Sequence, residues 1–165
     1  MKLNVLLILV LLIFFTSCSE DKFQLPSNAN ELLTNNSSKI WKIAKRFNGD
    51  HRMNMGDCFL SYRVTYSNNG KTTDNNALNK DCGDSMNVDW SFYTDDNGSF
   101  IKLKGDKVKE LLNQEKDYKY FKILDLTDSL LVIKFRHKQF GNTSRLITDY
   151  LVPENIKVEG RNFHN

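Results

Sequence analysis

The chain has 165 residues, of which 40% are hydrophobic and 12% aromatic, and its 23 Lys and Arg stand against 20 Asp and Glu for a net charge of +3. One domain of that composition has material for a core, which excludes a largely disordered chain. Its basic residues are scattered along the sequence instead of clustered, which excludes a nucleic-acid binder.

Lys2 precedes eleven consecutive apolar residues, Val5 to Phe15, and the small residues Thr16 and Ser17 follow. A charged start, a short apolar middle and small residues at the cut are the plan of a secretory signal peptide over residues 1–17. A permanent membrane-spanning helix would need about 20 apolar residues. Phe15-Thr16-Ser17-Cys18 resembles the bacterial lipobox, with Phe15 where Leu is usual, so cleavage would make Cys18 the acylated first residue of the mature chain. Several acyl chains on one residue hold a protein to a bilayer stably, whereas one holds it marginally. Ser19-Glu20-Asp21 resembles the acidic export signal that sends Bacteroidetes lipoproteins to the cell surface. The expected location is the outer membrane, on its periplasmic face or at the surface, with the surface favoured.

With Cys18 assigned to lipid, Cys58 and Cys82 remain as a pair in an oxidising compartment, and a disulfide between them is expected. A zinc site is the weaker alternative, because there is no CxxC and His51 stands seven residues from Cys58.

Residues 18–37 read as lipid anchor and tether. Ser19 to Asn30 carries charges, Ser, Asn and Pro26 with few apolar anchors, and a dozen extended residues reach about 40 Å. A short helical turn at Asn30-Glu31-Leu32-Leu33 is broken by Asn35-Asn36. Period-2 alternation then predicts strands over Ile40–Phe47, with Trp41, Ile43 and Phe47 on one face and Lys42 and Arg46 on the other. Phe59–Tyr66 follows, turned at Asn68-Asn69-Gly70 into a polar strand from Lys71 to about Asn76. Asn87–Tyr93 and Ser99–Lys104 make a hairpin about Asp95-Asp96-Asn97-Gly98. Asp106–Gln114 is the one predicted helix, with Asp106 as N-cap and Val108, Leu111 and Leu112 as its apolar stripe. Tyr118–Leu126, Leu130–His137 and Thr143–Val152 complete eight strands. Consecutive antiparallel strands on short connections are best served by an all-β, eight-stranded up-and-down barrel over residues 38–153, which leaves no free edge. A β-sandwich is the alternative, and residues 154–165 are a tail.

The chain resembles the lipocalin-like lipoproteins of Bacteroidetes over roughly residues 38–137. The resemblance rests on the Trp41 strand after a short helical turn, Asp57-Cys58, the Asn69-Gly70 turn, Cys82 before Trp90-Ser91-Phe92, and the ladder Tyr120–Thr127 running into Leu130–Ile133. Lys39 stands where true lipocalins have the Gly of Gly-x-Trp, and Thr148-Asp149-Tyr150 lies on the final strand instead of an inner turn. The resemblance implies a lipocalin-like barrel that binds a small apolar ligand.

Trp41, Tyr62, Val64, Trp90, Phe92 and Leu124 are the inner-face candidates for contacting that ligand. The same side chains would equally pack a dry core, and the rival reading is then a protein-interaction or inhibitor-type surface lipoprotein with a filled barrel. No Gly-x-Ser-x-Gly, His-x-x-His or phosphate-binding glycine loop appears among the histidines, serines and glycines, so no enzyme activity, catalytic residue, metal or cofactor is expected. A monomer is expected. Asp84-Ser85-Met86 and Asp128-Ser129-Leu130 resemble the Asp-Ser/Thr-apolar motif that Bacteroidetes glycosylate, with Ser85 and Ser129 as acceptors.

Overall fold

The computed structural model describes residues 22–112, 114–138 and 143–162. The expected signal peptide over residues 1–17, Cys18 and Ser19-Glu20-Asp21 lie outside these residues. A short helix α1 (Ala29–Thr34) leads into β1 (Ser38–Asn48) and the two-residue β2 (His51–Arg52). Helix α2 (Asp57–Ser61), β3 (Arg63–Ser67), β4 (Lys71–Asp74) and a 3₁₀ turn at Asn76–Leu78 come next. The chain continues through β5 (Asn87–Asp95), β6 (Gly98–Lys104), helix α3 (Asp106–Leu111), β7 (Tyr118–Leu126), β8 (Leu131–Lys138) and β9 (Ser144–Pro153).

Every neighbouring pair is antiparallel, and β9 returns to pair with β1 from Trp41↔Pro153 to Asn48↔Ile147. The sheet is therefore a closed eight-stranded up-and-down barrel, with β2 as an extra strand on the end of β1. Closure gives each stave two partners and decides against the sandwich.

One end of the barrel is sealed. Helix α1 crosses it and inserts Leu33, which is wholly buried, beside Trp41, also wholly buried. The Trp41 indole Nε1–H donates to the Leu33 carbonyl at 3.0 Å, and the Lys39 ammonium, 4.4 Å from the Trp41 ring, donates to the carbonyls of Leu32 and Asp128. Lys39 thus ties helix, strand and the β7–β8 turn together at the closed end. Trp90, Ile101, Ile123, Leu126 and Leu131 pack above this plug as a dry floor.

Four expectations need correction. The Phe59–Tyr66 strand is shorter, because Asp57–Ser61 forms α2, whose Ser61 hydroxyl donates to the Asp57 carbonyl at 2.8 Å; the strand starts at Arg63. α2 is an unexpected helix, and the helical turn expected at Asn30–Leu33 is the longer α1, so the described residues hold three α-helices instead of one. Asp106 is the first residue of α3, not its cap: Gly105 makes the turn at φ 147°, where an added Cβ would meet Val88 Cγ1 at 3.2 Å. The tether does not run to Asn30, because Phe23 and Leu25 pack against the core, the Phe23 carbonyl accepts from the Ser99 hydroxyl at 3.1 Å, and Lys22 donates to the Asp96 carbonyl. The chain is held on the barrel from Lys22 onward.

Two β-bulges set which side chains face inward. Between Ile43 and Lys45 the register with β9 shifts by one residue, and between Ile123 and Asp125 the register with β8 does the same. A one-residue insertion reverses the inward–outward phase of everything beyond it. Arg46, expected beside Lys42 on the outer face, therefore turns inward, and Phe47 turns outward against Tyr150 with ring centroids 5.6 Å apart. Leu124, expected on the inner face, is 38% exposed on the outside.

Candidate functional site

Above the floor the barrel is hollow. A cavity of about 290 Å³ opens at the end carrying α2, α3 and the Asn75–Met86 loop. Ile43, Val64, Leu103, Phe121, Ile133 and Ile147 line it from six strands, giving an apolar wall. Its volume lies at the lower bound of the roughly 300–1,000 Å³ typical of small-molecule pockets.

The mouth is built by a local break in the sheet. β1 pairs with β3 only from Ser38 to Lys42, and beyond that point α2 is wedged into the seam. The Cys58–Cys82 disulfide ties α2 to the Asn75–Met86 loop, and both cysteines line the cavity. The C-terminal tail covers the seam from outside: the Arg161 guanidinium donates to the Ile43 carbonyl at 2.8 Å and to the Phe59 carbonyl at 3.4 Å. The first bond takes up the carbonyl of Ile43, just past the last β3 pair at Lys42, and the second a carbonyl of α2.

Polar groups are set into the apolar wall at a few points. Arg46 and Asp149 form a two-bond ion pair, Nε to Oδ1 at 2.6 Å and Nη2 to Oδ2 at 2.5 Å, with side chains only 13% and 5% exposed. Arg46 also lies 4.2 Å over the Phe59 ring. Below this pair, Tyr66 is 4% exposed and its ring stands edge-on to Trp90, centroids 5.7 Å apart. The Tyr66 hydroxyl makes no hydrogen bond to a described residue, yet no fully enclosed polar side-chain atom among them lacks a partner, so this oxygen opens onto the cavity. Burial, and then the Asp149 carboxylate, push its ionisation well up, so it stays a neutral phenol. Tyr62 is raised in the same way by burial and then by Asp74.

Asp74 and His137 complete the polar set nearer the mouth. Burial raises the Asp74 carboxyl above its ordinary value, against the opposing effect of the Asn76 N–H, which donates to it at 3.0 Å. Burial lowers His137, helped by the Lys119 and Arg46 cations, so its imidazole is neutral at pH 7. No group of three or more His, Cys, Asp or Glu comes together among the described residues in a way that would hold a metal.

Of the six inner-face candidates, the structure places Tyr62 and Val64 in the cavity wall. Trp41 belongs to the plug and Trp90 to the floor, where its indole donates to the Ser67 carbonyl at 3.0 Å. Phe92 packs edge-on to Trp90, centroids 5.3 Å apart, and lines an outer groove together with Leu25 and Pro26. Leu124 is outside. The sequence reading missed Arg46, Tyr66, His137 and Asp149 as site residues. Asp149 carried a legible signal, since it shares inward parity with Ile147 and Leu151; Arg46 carried none, because the bulge that turns it inward leaves no mark in the residue pattern.

Fold and cavity define a one-ended antiparallel barrel whose interior can enclose a small molecule. A search of protein-family models gives no match, and no curated protein matches the chain. Among solved structures, the chain is similar to a lipocalin-like protein from Bacteroides uniformis ATCC 8492, with a TM-score of 0.45 and 15% identity, over 69% of this chain and 94% of that one.

Proposed function

We propose that the protein binds a small, largely apolar molecule in the upper half of its barrel without chemically transforming it. The observation that carries this reading is the cavity of about 290 Å³, walled by apolar side chains and open at one end. Packed floor and hollow mouth together count against the filled-core alternative, in which the barrel would serve only to display loops. Denaturing mass spectrometry of protein purified from its own membranes tests the reading: a molecule recovered at about one per chain is expected, and a protein that carries nothing and takes up nothing contradicts it.

We further propose that the domain is a lipoprotein, acylated on Cys18 and held at the outer membrane. Lys22 and Phe23 bind to the closed end of the barrel, so only the three residues 19–21 separate Lys22 from Cys18, a reach of about 14 Å when extended. The sealed end would face the bilayer and the mouth would face away. Labelling with radioactive palmitate is expected to mark the native protein and not a Cys18→Ala variant. Protease shaving of intact cells tests display at the surface, which Glu20 and Asp21 favour. Ser129, exposed in the β7–β8 turn, is the better placed of the two glycosylation candidates; the Ser85 hydroxyl accepts the Ala77 N–H at 2.9 Å.

A further inference from the structure

The geometry points to a ligand that is an uncharged amphiphile, an apolar body ending in one hydroxyl or carbonyl group that hydrogen-bonds to Tyr66, and to rejection of the corresponding carboxylate. This rests on the proposal that the cavity binds a small molecule. Three observations carry it. First, the one Lys or Arg in the wall among the described residues, Arg46, is already committed through two charge-assisted bonds to Asp149. Second, the remaining acidic wall residue, Asp74, supplies no positive charge in either protonation state, and the imidazole of His137 adds none at neutral pH. Lys119, whose charge acts on His137, directs its ammonium to the Arg136 carbonyl at 2.5 Å. A carboxylate entering here would leave water without gaining a free counter-ion, which is strongly unfavourable.

Third, the Tyr66 hydroxyl is a neutral donor and acceptor held at the floor of the cavity with no partner among the described residues. Its level is that of Thr72, across β3 and β4, whose own hydroxyl is used on the Thr65 carbonyl at 2.9 Å. Trp90 fixes the ring edge-on, so the phenol is oriented before any ligand arrives. An alcohol or ketone would satisfy that phenol at little desolvation cost, and its chain would lie along Val64, Ile133 and Ile147.

The test is displacement of the neutral dye N-phenyl-1-naphthylamine from the full protein by decanol or by decanoate, at a pH where decanoate is ionised. Decanol is expected to displace the dye at a concentration at least about tenfold lower than decanoate. In a Tyr66→Phe variant, decanol should weaken about fivefold more than the dye does, the size of one neutral hydrogen bond. Decanoate displacing as well as or better than decanol would overturn the inference and leave small-molecule binding intact, as would decanol binding unaltered by Tyr66→Phe. Failure of the dye and both competitors to bind would overturn the binding proposal and this inference with it.

Discussion

Asp149 stands between Ile147 and Leu151 on the inward face of β9, so its carboxylate is out of water and depends on Arg46 for compensation. Removing one partner of such a pair strands the other, whereas replacing both with apolar groups can be nearly neutral. Asp149→Ala is expected to lower unfolding free energy by about 3 kcal/mol in urea titrations, and the double variant Arg46→Met, Asp149→Leu to recover most of that. His137 supplies a pH dependence. Its folded-state value is depressed, so the unfolded chain binds a proton that the native protein refuses. The stability it contributes is complete above its ordinary value of about 6.5 and is lost as pH falls through the lowered folded value. Asp74, raised in the fold, acts with the opposite sign in a more acidic window, since its native form takes up a proton more readily. Urea midpoints measured from neutral pH down to about pH 5 should therefore fall less in His137→Gln than in the native protein.

At the scale of elements, the mouth depends on a covalent tie. α2 has no wholly buried residue and fills the gap where β1 leaves β3, and the disulfide fastens it to the Asn75–Met86 loop. Closing a loop with a sequence separation of 24 residues contributes about 3 kcal/mol. Cys58→Ala with Cys82→Ala should lose about that much in urea unfolding, and reductant should lower the native midpoint while leaving the double variant's unchanged. The eight staves were legible in the sequence because each keeps its own period-2 pattern and is closed by its own turn, such as Asn69-Gly70 with Gly70 at φ 79°. Three features were not. The bulges at Ala44 and Leu124 insert a residue with no compositional mark, and they decide that Arg46 faces in and Leu124 faces out. Asp57–Ser61 reads as the start of a strand because Phe59 is followed by alternating residues, yet the disulfide and the seam hold it helical. Phe23 and Leu25 are two apolar residues in a polar stretch, and only their packing against the barrel core makes them anchors.

For the whole molecule, the division of the barrel into a packed lower half and a hollow upper half carries the functional account. Leu33, Trp41, Ile123 and Leu131 are wholly buried at the sealed end and supply the stability that an open mouth does not. Attachment of Lys22 and Phe23 to that same end puts the start of the described chain opposite the cavity mouth. The central claim, that the hollow half is a binding site, is tested most directly by titrating the protein with N-phenyl-1-naphthylamine and following its fluorescence, beside an Ile133→Trp variant whose larger side chain fills the cavity. One saturable site per chain in the native protein, lost in Ile133→Trp while that variant keeps its folded circular-dichroism spectrum, is the predicted result. Saturable binding that survives the filling of the cavity, or no saturable binding by the native protein, would contradict it.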